Sequence, residues 1–259
     1  MRWISSVLRA PLPTTSLCVL ALALCCAEFA QAAWAASQAP AQSIALPQPP
    51  TPIQPPPSRF VVVLDAAHGG DDSGARLDGD QLEKSFALAF SVRLRSLLNA
   101  RGIQVVTTRD QDIAIDPDRR AAIANHAQAQ ACLSLHASQS GQGVHLYVSS
   151  LQPEQPSRFA AWKTAQSAFV SRSLTLAGVL NGALVHAQIK VLAGRVGLPG
   201  LDSMTCPAVA IEVAPETADP GSAAPASAAG GLADPDYQAR VAAAIAAAML
   251  EWRSEGRLP

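Results

Sequence analysis

Five ionisable side chains stand in or beside apolar runs, and the two histidines and two glutamates among them suit metal-assisted hydrolysis. Phe60-Val-Val-Val-Leu-Asp-Ala-Ala-His-Gly-Gly70 carries a β-branched run straight into Asp65, His68 and two glycines, which reads as a buried strand ending in a tight turn. Glu83 closes Asp80-Gln-Leu-Glu83 ahead of an apolar-periodic segment, and His136 closes Ala131-Cys-Leu-Ser-Leu-His136. Glu212 lies inside Pro207-Ala-Val-Ala-Ile-Glu-Val213, where an acid is costly to bury unless it is paired or used. Two histidines and one glutamate suit a single catalytic zinc with an open coordination position, and a second glutamate is left for proton transfer. There is no HExxH, so the ligands must come from separate elements. No Gly-x-Ser-x-Gly elbow points to a serine mechanism, and neither Cys132 nor Cys206 has a clear histidine partner.

The elements that must position these groups follow from periodicity. Asp80 with Glu83 has the spacing of a capping box. Leu82, Phe86, Ala89, Phe90, Leu94, Leu97 and Leu98 then fit one buried face of a helix ended by Gly102. Glu83 can cap, ligate, or do both. Ile103 to Thr108 reads as a strand. Asp116-Pro117 starts a short helix through Ala129 that puts His126 on the surface. Ala131 to Leu135 is a strand delivering His136. In Gly143 to Val148 the alternation puts His145 and Tyr147 opposite Val144, Leu146 and Val148, so His145 either faces solvent or a helix or is a rival ligand. Phe159 to Ala187 reads as one broken helix or two, with Trp162, Phe169, Leu174, Leu176, Val179, Leu180 and Leu184 available for packing. A short strand is expected at Ile189 to Leu192, a loop at Gly194 to Cys206, and a final helix capped by Asp234-Pro235 with a stripe of Val241, Ile245, Met249 and Trp252. Strands alternating with helices predict a three-layer α/β domain, a largely parallel twisted sheet flanked by helices on both faces. In such a sheet His68 and His136 both fall at strand ends, the condition for sharing one metal.

The 259 residues carry a net charge of −1, so no basic footprint implies nucleic acid. Residues 1–35 read as an export signal: Arg2 and Arg9 precede an apolar run from Leu17 to Ala27, and Ala30-Gln-Ala32 and Ala33-Trp-Ala35 offer small-residue cleavage sites. That run is short for a membrane span, so no transmembrane anchor is expected after cleavage. Residues 36–58 form a Pro/Ala/Gln-rich linker, 59–259 the domain, and 218–231, rich in Ala, Ser, Gly and Pro, a mobile insertion within it. Only Cys132 and Cys206 remain in the exported form; they either pair or are buried as small hydrophobes.

Taken in order, these blocks carry a resemblance. Val62-Val-Leu-Asp-Ala-Ala-His-Gly-Gly70, Leu82-Glu-Lys84, Thr108-Arg-Asp110, Arg120, Ala124-Asn125, Leu133-Ser-Leu-His-Ala137 and Pro207-Ala-Val-Ala-Ile-Glu212 resemble the zinc-dependent N-acetylmuramoyl-L-alanine amidases, the AmiC-like catalytic domain of cell-wall hydrolases. The resemblance spans about Phe60 to Trp252. It implies His68, Glu83 and His136 as zinc ligands, Glu212 as the catalytic carboxylate and Asp65 as the residue positioning His68. It also implies cleavage of the amide between N-acetylmuramic acid and L-alanine in peptidoglycan, in the periplasm or cell wall, with room for an activator protein. The chain departs from the family at Ala66-Ala67 for Pro-Gly, at Ser138 for Asn, at His145 for a common Glu and at Ala214-Pro215 for Gly-Phe or Ala-Phe. None of these removes a ligand. A non-catalytic wall-binding or regulatory module on the same fold, or a zinc peptidase acting on another bond of the stem peptide, are the alternatives.

Overall fold

The β-branched run at the head of the domain carries no polar face because it is packed on both faces, Val62 and Leu64 in one core cluster and Val63 in the other. In the computed structural model, which describes residues 59–77, 80–155, 161–216 and 231–255, β1 (Val61–Ala66) lies between β2 (Gln104–Thr107) and β3 (Ala131–Ala137), parallel to both. Beyond β3 come β4 (Val144–Ser149), β5 (Val191–Val196) and β6 (Ala208–Val213). The order across the sheet is β2-β1-β3-β6-β4-β5, parallel except where β4 meets β6. The expected signal, the linker and the 218–231 insertion apart from Gly231 lie outside the described residues.

Alternation along the strands sorts their side chains onto two faces. The described helices are α1 (Glu83–Asn99), α2 (Pro117–His126), α3 (Val170–His186) and α4 (Pro235–Glu255). On one face Val62, Leu64, Leu133, Leu135, Val209 and Ile211 join Phe86 and Phe90 of α1, Leu176 and Leu180 of α3, and Val241, Ile245 and Met249 of α4 in one buried cluster. Each large apolar side chain removed from water contributes about 1.5–3 kcal/mol. The buried alanines Ala242, Ala246 and Ala248 let α4 lie against both α1 and α3. The second face is thinner: Val63, Cys132, Ala208 and Ala210 meet Ala121 and Ala124 of α2 together with Leu201 and Met204. Cys132 and Cys206 form a disulfide there. Helices on both faces of a mostly parallel sheet make the three layers the periodicity predicts.

Local chemistry sets the ends of these elements. Asp116 accepts the backbone N–H of Arg119 at 2.9 Å and caps α2, with Pro117 at its first position. Asp234 accepts from the N–H of Asp236 at 2.9 Å as α4 begins. Buried Tyr237 donates its hydroxyl to the carbonyls of Gly143 (3.0 Å) and Ala214 (2.8 Å), tying α4 to the adjoining ends of β4 and β6. The capping box expected at Asp80 does not form: Asp80 has φ 61 and pairs with Arg76, Leu82 takes the cap position without a side-chain bond, and Glu83 is the first helical residue. β5 runs on to Val196 through the stretch expected to be loop, and a 3-10 turn follows at Leu201–Ser203. As a largely exposed edge strand, β5 has no apolar alternation to announce it. The break expected after Phe159 is a 64° bend between a 3-10 segment, Trp162–Ala168, and α3. Trp162, expected to pack, is 51% exposed, and Leu174 also faces outward.

Candidate metal centre

Just past β1 the chain makes a turn in which His68 itself takes a left-handed φ of 60. Such a backbone costs a non-glycine residue about 1–3 kcal/mol. Two buried guanidiniums hold it. Arg120 of α2 donates to the carbonyls of Ala66 and His68, each at 2.6 Å, and to Asp65 Oδ1 at 2.7 Å. Arg109, just beyond β2, donates to the carbonyls of Ala66 (2.9 Å), Ala67 (2.8 Å) and Lys84 (2.7 Å). Charge-assisted bonds of this kind contribute roughly 1.5–3 kcal/mol each, enough to offset the strain. They also lock the turn to the start of α1.

Glu83 opens α1 with its carboxylate turned inward. Oε2 accepts the N–H of Ala75 at 2.9 Å, while Oε1 lies 3.1 Å from His68 Nε2 and 2.9 Å from His136 Nδ1. Burial pushes the Glu83 carboxyl up, but the hydrogen bonds from His136, His68 and Ala75 outweigh it and hold the group well below the ordinary glutamate range. The hydrogen bond to Glu83 raises the His68 imidazole against the opposing effect of burial, with Asp72 helping. Gly74 makes the closeness feasible. Its φ is +64, and a Cβ there would sit 2.6 Å from His68 Cδ2 and 2.7 Å from Glu83 Oε2.

On the side of the His68 ring away from Glu83, Asp72 Oδ2 lies 2.9 Å from Nδ1. The resemblance implies the task of positioning His68 for Asp65, which makes no direct hydrogen bond to the His68 ring and is linked to the His68 carbonyl through Arg120. Asp65 pairs across to Ser134 in the β1–β3 register, accepts its hydroxyl at 2.9 Å, and takes further bonds from Thr108 Oγ1 and Arg120, both at 2.7 Å. Ser134 Oγ is 3.4 Å from His136 Nε2. Asp65 therefore supports the His136 side of the site, and it reaches the His68 turn only through Arg120.

One ligand atom from each of His68, Glu83 and His136 lies within 4.8 Å of the others, the single such group found among the described residues. Two imidazole nitrogens and a carboxylate oxygen are donors that zinc accepts, so the residues fit the ion. His126 is exposed on α2 and stays apart. His145 is buried and joins Glu212 instead, Nδ1 to Oε1 at 2.7 Å. Glu212 sits on β6 directly opposite His136 of β3 and His145 of β4. A cleft of about 240 Å³ opens beside the cluster, with His68, Asp72 and His136 on one wall and Ile115, Leu198, Leu201 and Met204 among the others. Asp72, Arg109, Thr108, Arg120 and Ser134 had been given no role from sequence. Their signal is only an unusual one, polar side chains that end up buried or ring-paired, and it is invisible before the strands are registered.

Histidine and glutamate donors converging at the strand ends of an α/β sheet, beside a cleft, are the equipment of a hydrolytic metal centre. Residues 62–251 match the N-acetylmuramoyl-L-alanine amidase family, Amidase_3, and the chain belongs to that family. One segment is 40% identical over 79 residues to the N-acetylmuramoyl-L-alanine amidase AmiC of Escherichia coli O6:H1, covering 30% of this chain and 19% of that protein. A longer one is 31% identical over 146 residues to the N-acetylmuramoyl-L-alanine amidase Rv3717 of Mycobacterium tuberculosis, covering 54% of this chain and 59% of that one. The chain thus spans less than two thirds of these curated relatives. Among solved structures, the catalytic domain of the amidase CwlV from Bacillus (Paenibacillus) polymyxa var. colistinus superimposes with a TM-score of 0.56 at 26% identity, covering 75% of this chain and 98% of that domain.

Proposed function

We propose that the domain is a peptidoglycan hydrolase cleaving the amide between N-acetylmuramic acid and the L-alanine of the stem peptide. The observation that carries the reading is the convergence of His68, Glu83 and His136, with ligand atoms within 4.8 Å of one another, in a chain of this family. These three residues would hold one zinc ion. Bound there, zinc would polarise the scissile carbonyl and make water a competent nucleophile near neutral pH. Asp72 fixes the His68 ring, and Asp65 acts on His136 through Ser134, so both imidazoles are oriented from behind. Glu212 is the catalytic carboxylate: it takes the proton of the attacking water and returns it to the departing alanine nitrogen. Residues 1–35 as export signal and 36–58 as linker complete the proposal, placing the domain in the periplasm or cell wall, where its substrate is.

Digestion of purified peptidoglycan, followed by mass spectrometry of the new termini, tests this. Free L-alanine amino termini and unsubstituted lactyl carboxyls on muramic acid are expected. New termini only within the stem peptide, or new glycan reducing ends, would contradict it.

A further inference from the structure

We infer that His145 is a positioning residue for Glu212, an inference that rests on the proton-transfer role proposed above. His145 and Glu212 are directly opposite in the antiparallel β4–β6 register, so their side chains leave the same face of the sheet. Nδ1 of the imidazole is 2.7 Å from Oε1 of the carboxylate. The two differ in access: the His145 side chain is 9% exposed and that of Glu212 29%. The buried member is the anchor and the accessible member the working group.

The imidazole is itself held. Gly141, at φ +86, lays the β3–β4 loop so close that a Cβ there would be 2.3 Å from His145 Cε1 and 2.5 Å from Nε2. The Tyr147 ring stands edge-on, 6.3 Å away. An anchored ring engaging one carboxylate oxygen fixes the orientation of the other, which makes no hydrogen bond among the described residues. His145 lies outside the group formed by His68, Glu83 and His136.

The test compares the zinc-loaded full chain with His145→Leu, His145→Asn, Glu212→Gln and the double variant His145→Leu/Glu212→Gln on a soluble muramoyl peptide. Asn places an amide nitrogen close to the position of Nδ1, whereas Leu keeps bulk and removes the donor. His145→Leu is expected to lower kcat roughly 10–100-fold with KM and zinc content unchanged. His145→Asn should recover most of that loss, and the double variant should be no slower than Glu212→Gln alone. A His145→Leu enzyme with wild-type kcat would overturn the inference. So would a folded His145→Asn enzyme as slow as the Leu variant, or losses that multiply in the double variant. Full activity in Glu212→Gln by itself would overturn the proton-transfer reading beneath it.

Discussion

Glu83 is a buried carboxylate shared between two imidazoles, and most of the site's electrostatics follow from it. Its ionised form is held by His136, His68 and the Ala75 N–H against the cost of burial. Glu212 works under different constraints, more exposed and bonded through one oxygen to His145. Replacing Glu212 by Gln keeps size and hydrogen bonding but removes the proton acceptor. Turnover is therefore expected to fall by about 10²–10⁴-fold, with zinc content and substrate binding retained. Near wild-type turnover in a zinc-loaded Gln variant would leave Glu212 a structural residue. His136 and Glu212 stand out in the sequence because they end or interrupt apolar runs, His68 because it follows one, and Glu83 because it opens an apolar-periodic segment. What each touches is not legible there. The spacing of Asp80 and Glu83 satisfies a capping rule that the left-handed Asp80 does not use. Asp72 lies in an aperiodic polar loop and gave no sign of serving His68. His145 looked like a solvent- or helix-facing residue because nothing in its own strand shows that Glu212 lies across from it.

The turn between β1 and α1 is the element on which the centre depends. Arg109 and Arg120 bind its carbonyls, Lys84 Nζ binds the Gly70 carbonyl at 2.7 Å, and Asp112 accepts the Gly70 N–H at 2.8 Å. A Cβ added at Gly74 would meet both the His68 ring and the Glu83 carboxylate. Gly74→Ala should leave the far core of α1, α3 and α4 intact while displacing His68 or Glu83. Zinc affinity by competition titration is expected to drop about 10–100-fold, the scale seen when groups supporting a metal site are disturbed. Unchanged affinity would mean that the segment yields without moving the donors. The buried apolar strands, β1 and β6 with β-branched residues and β3 with Ala, Cys and Leu, are legible in the sequence with their polar residues attached. The antiparallel placement of β4 is not, since strand direction depends on which edge it joins. β5 is legible only at its start, where the strand expected at Ile189 to Leu192 overlaps it, because exposure erases the pattern beyond.

At the scale of the molecule, the two faces of the sheet divide the labour. The thick layer of α1, α3 and α4 supplies most of the burial, and on the face of the thin one, α2 with the Leu201–Ser203 turn, His136 and Glu212 keep partial exposure beside buried Asp65, Ser134 and His145. Residues 37–58, rich in Ala, Gln and Pro, add few apolar groups that a core could use. Deleting them should leave the thermal unfolding midpoint nearly unchanged; a collapsed transition would show that they pack on the domain. The alternation of strands and helices is enough to predict three layers, because burial on both sides of a sheet dictates that pattern. The measurement that bears most directly on the account is the zinc content of the purified chain beside its His136→Ala and His126→Ala variants. One zinc per chain is expected in the wild type and in His126→Ala, with loss in His136→Ala. Equal loss from both variants, or retention in both, would contradict it.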